Sequence, residues 1–262
     1  MLYILLGLTF LAGVLIHGIV MYLPMALHQS WRQECVAYLQ SINQSETVAP
    51  ADALLKIQCS KIKWRRLLPF SSLFWKEKLT TKISFLTLDM VLFVSSLLLF
   101  YHFDNYAYWA SALLFSWVLI TSSFIDFEHQ ILPDELTYIL LWAGLMASCS
   151  NLYTYSTSAI LGVICAYLSL FLASLLFKLI RKKEGIGQGD LKLFAAIAAW
   201  VGVAQLPLIL FVASLFSLVF ILLRKIICQK ECSAPASFGP FLALSGWLVL
   251  LWGSELTSYL LL

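Results

Sequence analysis

The sequence is short of charge. Asp, Glu, Lys and Arg make up 12% of its 262 residues, and 61% are hydrophobic. A soluble domain carries about twice that charged fraction. The shortage excludes an ordinary soluble domain and indicates a polytopic, all-α membrane protein. CxxC pairs are also missing. Cys35, Cys59, Cys149, Cys165, Cys228 and Cys232 stand at irregular spacings, which reads as scattered small hydrophobes. The apolar start, from Met1 to about Leu23, lacks a basic n-region and a small-x-small cleavage site. It is therefore expected to stay in place as a first transmembrane helix rather than leave as a signal peptide.

What is present is a series of apolar runs. After the first they lie at about 83–103, 107–125, 136–152, 158–179, 191–204, 206–227 and 240–262. The expectation is about eight transmembrane helices in two parts. Residues 1–82 hold the first helix and a basic loop, and 83–262 form a seven-helix bundle. The run 191–204 is short, and Gly202 with Pro207 marks its separation from the next. The loop between the first two runs is the one sizeable polar segment. It carries the patch Lys61-Ile62-Lys63-Trp64-Arg65-Arg66. Beside a membrane such a patch favours anionic headgroups over nucleic acid, and no nucleic-acid partner is expected.

Cations give the orientation. Of 17 Lys and Arg, nine fall in the loop after the first run, five around the loop after the fifth, and three after the seventh. With eight spans these loops share one side, which is then cytoplasmic. Both termini face out.

Against this background two acids stand out. Asp126 closes one apolar run, in Phe124-Ile125-Asp126-Phe127-Glu128-His129-Gln130-Ile131-Leu132-Pro133-Asp134. Asp190 opens another, in Gly185-Ile186-Gly187-Gln188-Gly189-Asp190-Leu191-Lys192. An acid beside the hydrocarbon layer is costly and so marks a functional site. Span parity puts both at the cytoplasmic ends of their helices. Two carboxylates brought together share a proton, the chemistry of aspartic proteases. The glycines around Asp190 allow a helix or substrate backbone to approach closely. The plain alternative is that Asp190 only caps a helix and Asp126 lies in a loop. No strand precedes the glycine run, so it is no dinucleotide fingerprint. Glu128 should point elsewhere on its helix, and Asp134, after Pro133, is expected as the N-cap of the next one. His129 either tunes the site or lies in the interface. Lys192, two residues past Asp190, should face away from it.

The two stretches resemble the type IV prepilin peptidase family, the bifunctional leader peptidases and N-methyltransferases of type IV pilus and type II secretion systems. These are GxGD-type intramembrane aspartic proteases. The likeness runs over about residues 83–250. It takes in Ser237-Phe238-Gly239-Pro240-Phe241-Leu242-Ala243, similar to the family's PFGP segment. The resemblance implies eight spans in the bacterial inner membrane and Asp126 and Asp190 as the catalytic pair at the cytoplasmic face. Gly187, Gly189, Lys192, Gly239 and Pro240 would support them. The implied substrates are prepilin or pseudopilin precursors, cut with no cofactor. S-adenosylmethionine would serve any methylation of the new N-terminus.

The chain departs from the family pattern near its start. In place of a GSFLNV-like stretch and Arg-Leu-Pro it has Gly13 to Ile19 and then Tyr22-Leu23-Pro24. The two CxxC pairs of the family's first loop are reduced to Cys35 and Cys59. Two thiols cannot close a tetrahedral zinc site, so no zinc is expected. His28 would serve as a third ligand or be simply solvated. Asp89 stands near a family glutamate, as a second polar site or a hydrogen bond within the bundle. A reading of a different class makes Asp126, Asp190 and Asp89 the ion path of a non-catalytic transport or assembly protein. A third is a leader peptidase without methyltransferase activity.

Overall fold

Backbone in hydrocarbon must satisfy its own N–H and C=O groups, and the helix does so locally. In the computed structural model every described element is helical. The described residues are 79–182, 185–228 and 237–260, with scattered positions between 7 and 33. The helices are α1 (Leu79–His102), α2 (Tyr106–His129), α3 (Asp134–Cys149), α4 (Ser156–Arg181), α5 (Gln188–Val201), α6 (Leu206–Cys228) and α7 (Gly239–Leu260). A 3-10 turn, Val203–Gln205, joins α5 to α6. The expected apolar runs from 83 onward thus appear as separate helices. The basic patch, His28, Cys35 and Cys59 lie outside the described residues, as does most of the first run.

The chain divides into two compact units, residues 1–93 and 94–262. In the first, the described core residues are Ile16, Val20, Leu88 and Leu92. The second is built around α5, whose Leu191 and Leu193 to Trp200 are all buried. A helix apolar on every side belongs inside a bundle. α5 packs against α3, α4 and α7, and α7 also packs against α2 and α6.

Small residues set these approaches. Gly144 of α3 leaves room for the Trp200 indole, since a Cβ there would stand 2.6 Å from its Cδ1 and Nε1. Trp200 Nε1 then donates to the Leu140 carbonyl at 2.9 Å, so the buried indole is satisfied. At the other end of α5 from Asp190, Gly202 takes φ 80°, a left-handed value suited to glycine. A Cβ there would stand 2.5 Å from the Ser158 and Thr154 hydroxyls. That turn separates the expected sixth and seventh runs.

Among the described residues three stretches are long and apolar enough to cross a membrane: Tyr106–His129, Ser156–Arg181 and Val203–Ile226. Thr87–His102 and Gly239–Gly253 are shorter apolar helices. α4 and α6 turn large apolar side chains outward, among them Leu172, Leu176, Phe211 and Leu218. Water would disfavour such a surface, whereas lipid accepts it.

Candidate active site

Asp126 stands in the last turn of α2. That helix ends because Gln130 takes the left-handed conformation, φ 55°, and donates its N–H back to the Asp126 carbonyl at 2.9 Å. Ile131 and Leu132 follow, and Pro133 opens α3 with φ −64° and ψ 130°. The fixed φ of proline suits a helix start. The Asp126 side chain is only 5% exposed, whereas Phe127, Glu128 and His129 are exposed. One acid of this cluster is thus turned inward and its neighbour outward, as helical spacing dictates.

Asp190 lies in the first turn of α5. Gly187 holds the N-cap position in extended conformation, and the Asp190 N–H donates to its carbonyl at 3.2 Å. The loop before it folds onto α4, with Gly185 against the Phe177 ring. Gly189 lies against Leu132, such that a Cβ would come within 2.8 Å of the leucine Cβ. Asp190 is partly buried.

The third contributor is the start of α7. The Phe238 carbonyl accepts from the N–H groups of Phe241 and Leu242, both at 3.1 Å. Pro240 sits in the first turn, where its missing N–H leaves nothing unsatisfied. Gly239 abuts Asp126 so closely that a Cβ would collide with Oδ2 and stand 3.2 Å from both Cγ and Leu132 Cδ1. Its N–H faces the Asp126 carboxylate. Oδ2 is itself buried with no hydrogen-bond partner among the described residues.

Both acids therefore lie at helix N-termini, Asp190 in that of α5 and Asp126 against that of α7. Each terminus presents the positive end of a helix dipole, and that of α7 also the Gly239 N–H, which favour a carboxylate. The two acids are brought near one another through Leu132, which lies against Gly239 beside Asp126 and against Gly189 before Asp190. Two such carboxylates hold one proton more readily than none, and the proton belongs to the pair rather than to either residue. A pair in that state can accept a proton at one oxygen and give one at another.

Gly187, Gly189 and Gly239 all lie against this pair or its immediate support, and Pro240 starts the helix that meets Asp126. Lys192 pairs with Asp134: Nζ lies 2.8 Å from Oδ1 and 2.6 Å from Oδ2. Asp134 is not the N-cap expected for it. Pro133 holds that position without a side-chain cap bond, and the Asp134 carboxylate reaches across to α5 instead. Residue-local capping rules do not see a cation 58 residues away. Leu132, which touches the positions of both Gly189 and Gly239, carried no sequence signal beyond its place in the motif. Asp89 is a partly buried residue of α1 in the first unit. No group of three or more His, Cys, Asp or Glu that would hold a metal occurs among the described residues.

With the geometry in view, the chain can be set beside known proteins. The type IV leader peptidase family matches residues 113–222, which span α2 to α6 and include both acids. A prepilin leader peptidase/N-methyltransferase of Dichelobacter nodosus is 40% identical over 172 residues, 66% of this chain and 59% of that protein. One from Pseudomonas aeruginosa is 42% identical over 145 residues, 55% of this chain and 50% of that protein. The chain thus spans between half and three fifths of those two relatives. A Legionella pneumophila protein of the same name is 32% identical over 268 residues, 98% of this chain and 93% of that one. No solved structure matches the chain.

Proposed function

The chain belongs to the type IV leader peptidase family, and from that membership we propose that it is a membrane-embedded aspartic endopeptidase acting on type IV prepilin-like precursors. Its substrates are pilin or pseudopilin precursors with a basic leader and an apolar helix. The cut is made where the leader meets the cytoplasmic face of the bacterial inner membrane, in a bundle of about eight spans. The site is formed by Asp126 and Asp190.

The observation that supports this reading is the packing around the two acids: Gly239 lies against the buried Asp126 carboxylate, Gly189 immediately precedes Asp190, and Leu132 lies against both glycines. In such a pair one carboxylate takes the proton of an attacking water while the carboxyl partner protonates the leaving amine. Gly187, where a Cβ would meet nothing nearer than the Asp190 carboxylate at 3.4 Å, leaves room beside that acid for an extended substrate backbone.

Among the described residues the ion-path reading finds no support. The buried hydroxyls of Thr121, Ser122 and Ser245 each donate to a carbonyl of their own helix, at 2.6, 2.8 and 2.8 Å. That is local satisfaction rather than a relay.

The relatives' shared name includes N-methyltransferase. In this chain methylation would use S-adenosylmethionine as methyl donor. The segment where the chain departs from the family pattern, the first helix and loop, is the one the resemblance links to that activity, so weak or altered methyl transfer is expected. Co-expression with a candidate prepilin and mass spectrometry of the product N-terminus tests both activities. Leader loss is the expected result, and an intact leader would overturn the reading.

A further inference from the structure

The short segment Leu132-Pro133-Asp134 touches residues that flank both acids of the pair: Gly239 beside Asp126, and Gly189 and Lys192 on either side of Asp190. Leu132 is wedged between two motif glycines. A Cβ on Gly189, the residue before Asp190, would come 2.8 Å from Leu132 Cβ, and one on Gly239, the residue abutting Asp126, would come 3.2 Å from its Cδ1. Two residues later Asp134 accepts from Lys192 Nζ through both carboxylate oxygens, at 2.8 and 2.6 Å. Lys192 is two residues past Asp190, on the same first turns of α5. Its Nζ also lies over the Tyr138 ring, 5.9 Å from the centroid and one turn along α3 from Asp134. Pro133 joins the two anchors with a fixed φ of −64°.

From this juxtaposition we infer that Leu132 and the Asp134–Lys192 ion pair form a positioning clamp that holds the start of α5 against the last turn of α2, and so sets the separation of Asp190 from Asp126. The inference rests on the reading of those two acids as the catalytic pair. Leu132 acts by shape. It fills the gap left by the two glycines, and the glycines in turn let the three chain segments close on it. The ion pair acts by direction, tying the first turns of α5 to the start of α3. Side chains of Lys192 and Asp134 are 30% and 48% exposed. An ion pair this exposed adds little to global stability, so its loss should register in catalytic geometry before it registers in unfolding.

The test uses the purified full chain in lipid, with a prepilin precursor as substrate. The variants are Leu132→Ala, Leu132→Met, Asp134→Lys, Lys192→Asp and the reversed double Asp134→Lys/Lys192→Asp, with Asp126→Asn and Asp190→Asn as reference. Misplacing a reacting group by about 1 Å costs on the order of 10²-fold. Leu132→Ala and each single charge reversal should therefore lower kcat by about tenfold to a hundredfold with KM little changed. The reversed double should recover most of the loss, because the two sites are coupled. Leu132→Met, similar in volume, should keep most activity. A reversed double as slow as its single variants would overturn the ion-pair arm, whether the singles fold poorly or not. Leu132→Ala and Leu132→Met equally active would overturn the wedge. If every clamp variant cleaves normally while the acid variants are dead, the clamp fails and the catalytic reading stands. If the acid variants cleave, both fall together.

Discussion

Replacing Gly239 by alanine adds one methyl group at the start of α7, and the structure says what that methyl meets. It collides with Asp126 Oδ2 and stands 3.2 Å from Cγ and from Leu132 Cδ1. The backbone does not forbid the change, because Gly239 is not among the positive-φ glycines. Something must move, and Asp126 is 5% exposed within packed helices. To restore an ordinary contact of about 3.5 Å, the carboxylate has to retreat by roughly 1 Å. A displacement of that size at a reacting group costs about 10²-fold in rate. The stability cost is smaller. Overpacking removes about 1–3 kcal/mol, and the loss of glycine freedom in the unfolded chain returns about 0.4–1 kcal/mol. A control sits in the same helix. Gly246→Ala would put a Cβ 2.7 Å from Ile197 Cγ2, an overpacking of the same kind away from the acids. Cleavage of a prepilin precursor and thermal unfolding should both be measured for the two variants. Gly239→Ala should lose cleavage out of proportion to stability, and Gly246→Ala should lose stability while still cleaving. Gly239→Ala cleaving at the wild-type rate would refute the claim that Gly239 positions Asp126.

Three further outcomes are expected. Glu128→Gln should retain most cleavage activity, since Glu128 is exposed while Asp126, half a turn earlier, is buried; a dead variant would shift the first acid to the wrong residue. Gly144→Ala should lower the unfolding midpoint, because its methyl would stand 2.6 Å from the Trp200 ring and 2.9 Å from Ala199 Cβ, an overpacking of about 1–3 kcal/mol. An impermeant thiol reagent added to intact cells should leave Cys35 and Cys59 unmodified, because the proposed orientation, argued from the cation distribution, puts their loop in the cytoplasm, and efficient labelling of either would reverse that orientation.

Much of this architecture was legible in the sequence, for physical reasons particular to a membrane chain. Apolar runs of limited length, broken by Gly202 and Pro207, mark helices because hydrocarbon leaves the backbone little else to form. Asp126 and Asp190 stood out because charge is scarce and each interrupts or begins such a run. The glycines before Asp190 foretold a close approach, and Leu132 is what approaches Gly189. Leu132 itself was invisible, one apolar residue in a chain that is 61% hydrophobic. Asp134 was misread because capping preferences are local, whereas its partner Lys192 comes from another helix. The spacing of Lys192 from Asp190 could not show that its partner would be Asp134. Gly239 came through likeness to a family segment, and its collision course with Asp126 required the fold.

The central claim is that Asp126 and Asp190 together perform the cleavage, and the most direct measurement is the cleavage rate of Asp126→Asn and Asp190→Asn on a prepilin precursor in membranes containing equal amounts of each protein. The amide is nearly isosteric, so insertion and packing should survive, but it can neither take up nor give the proton. General acid–base help is worth on the order of 10²–10⁴ in rate, and each acid is proposed to serve in both directions. Both variants should therefore leave the precursor uncut on the time scale in which the wild type finishes. Near wild-type cleavage by either one, with the protein correctly inserted, would contradict the account.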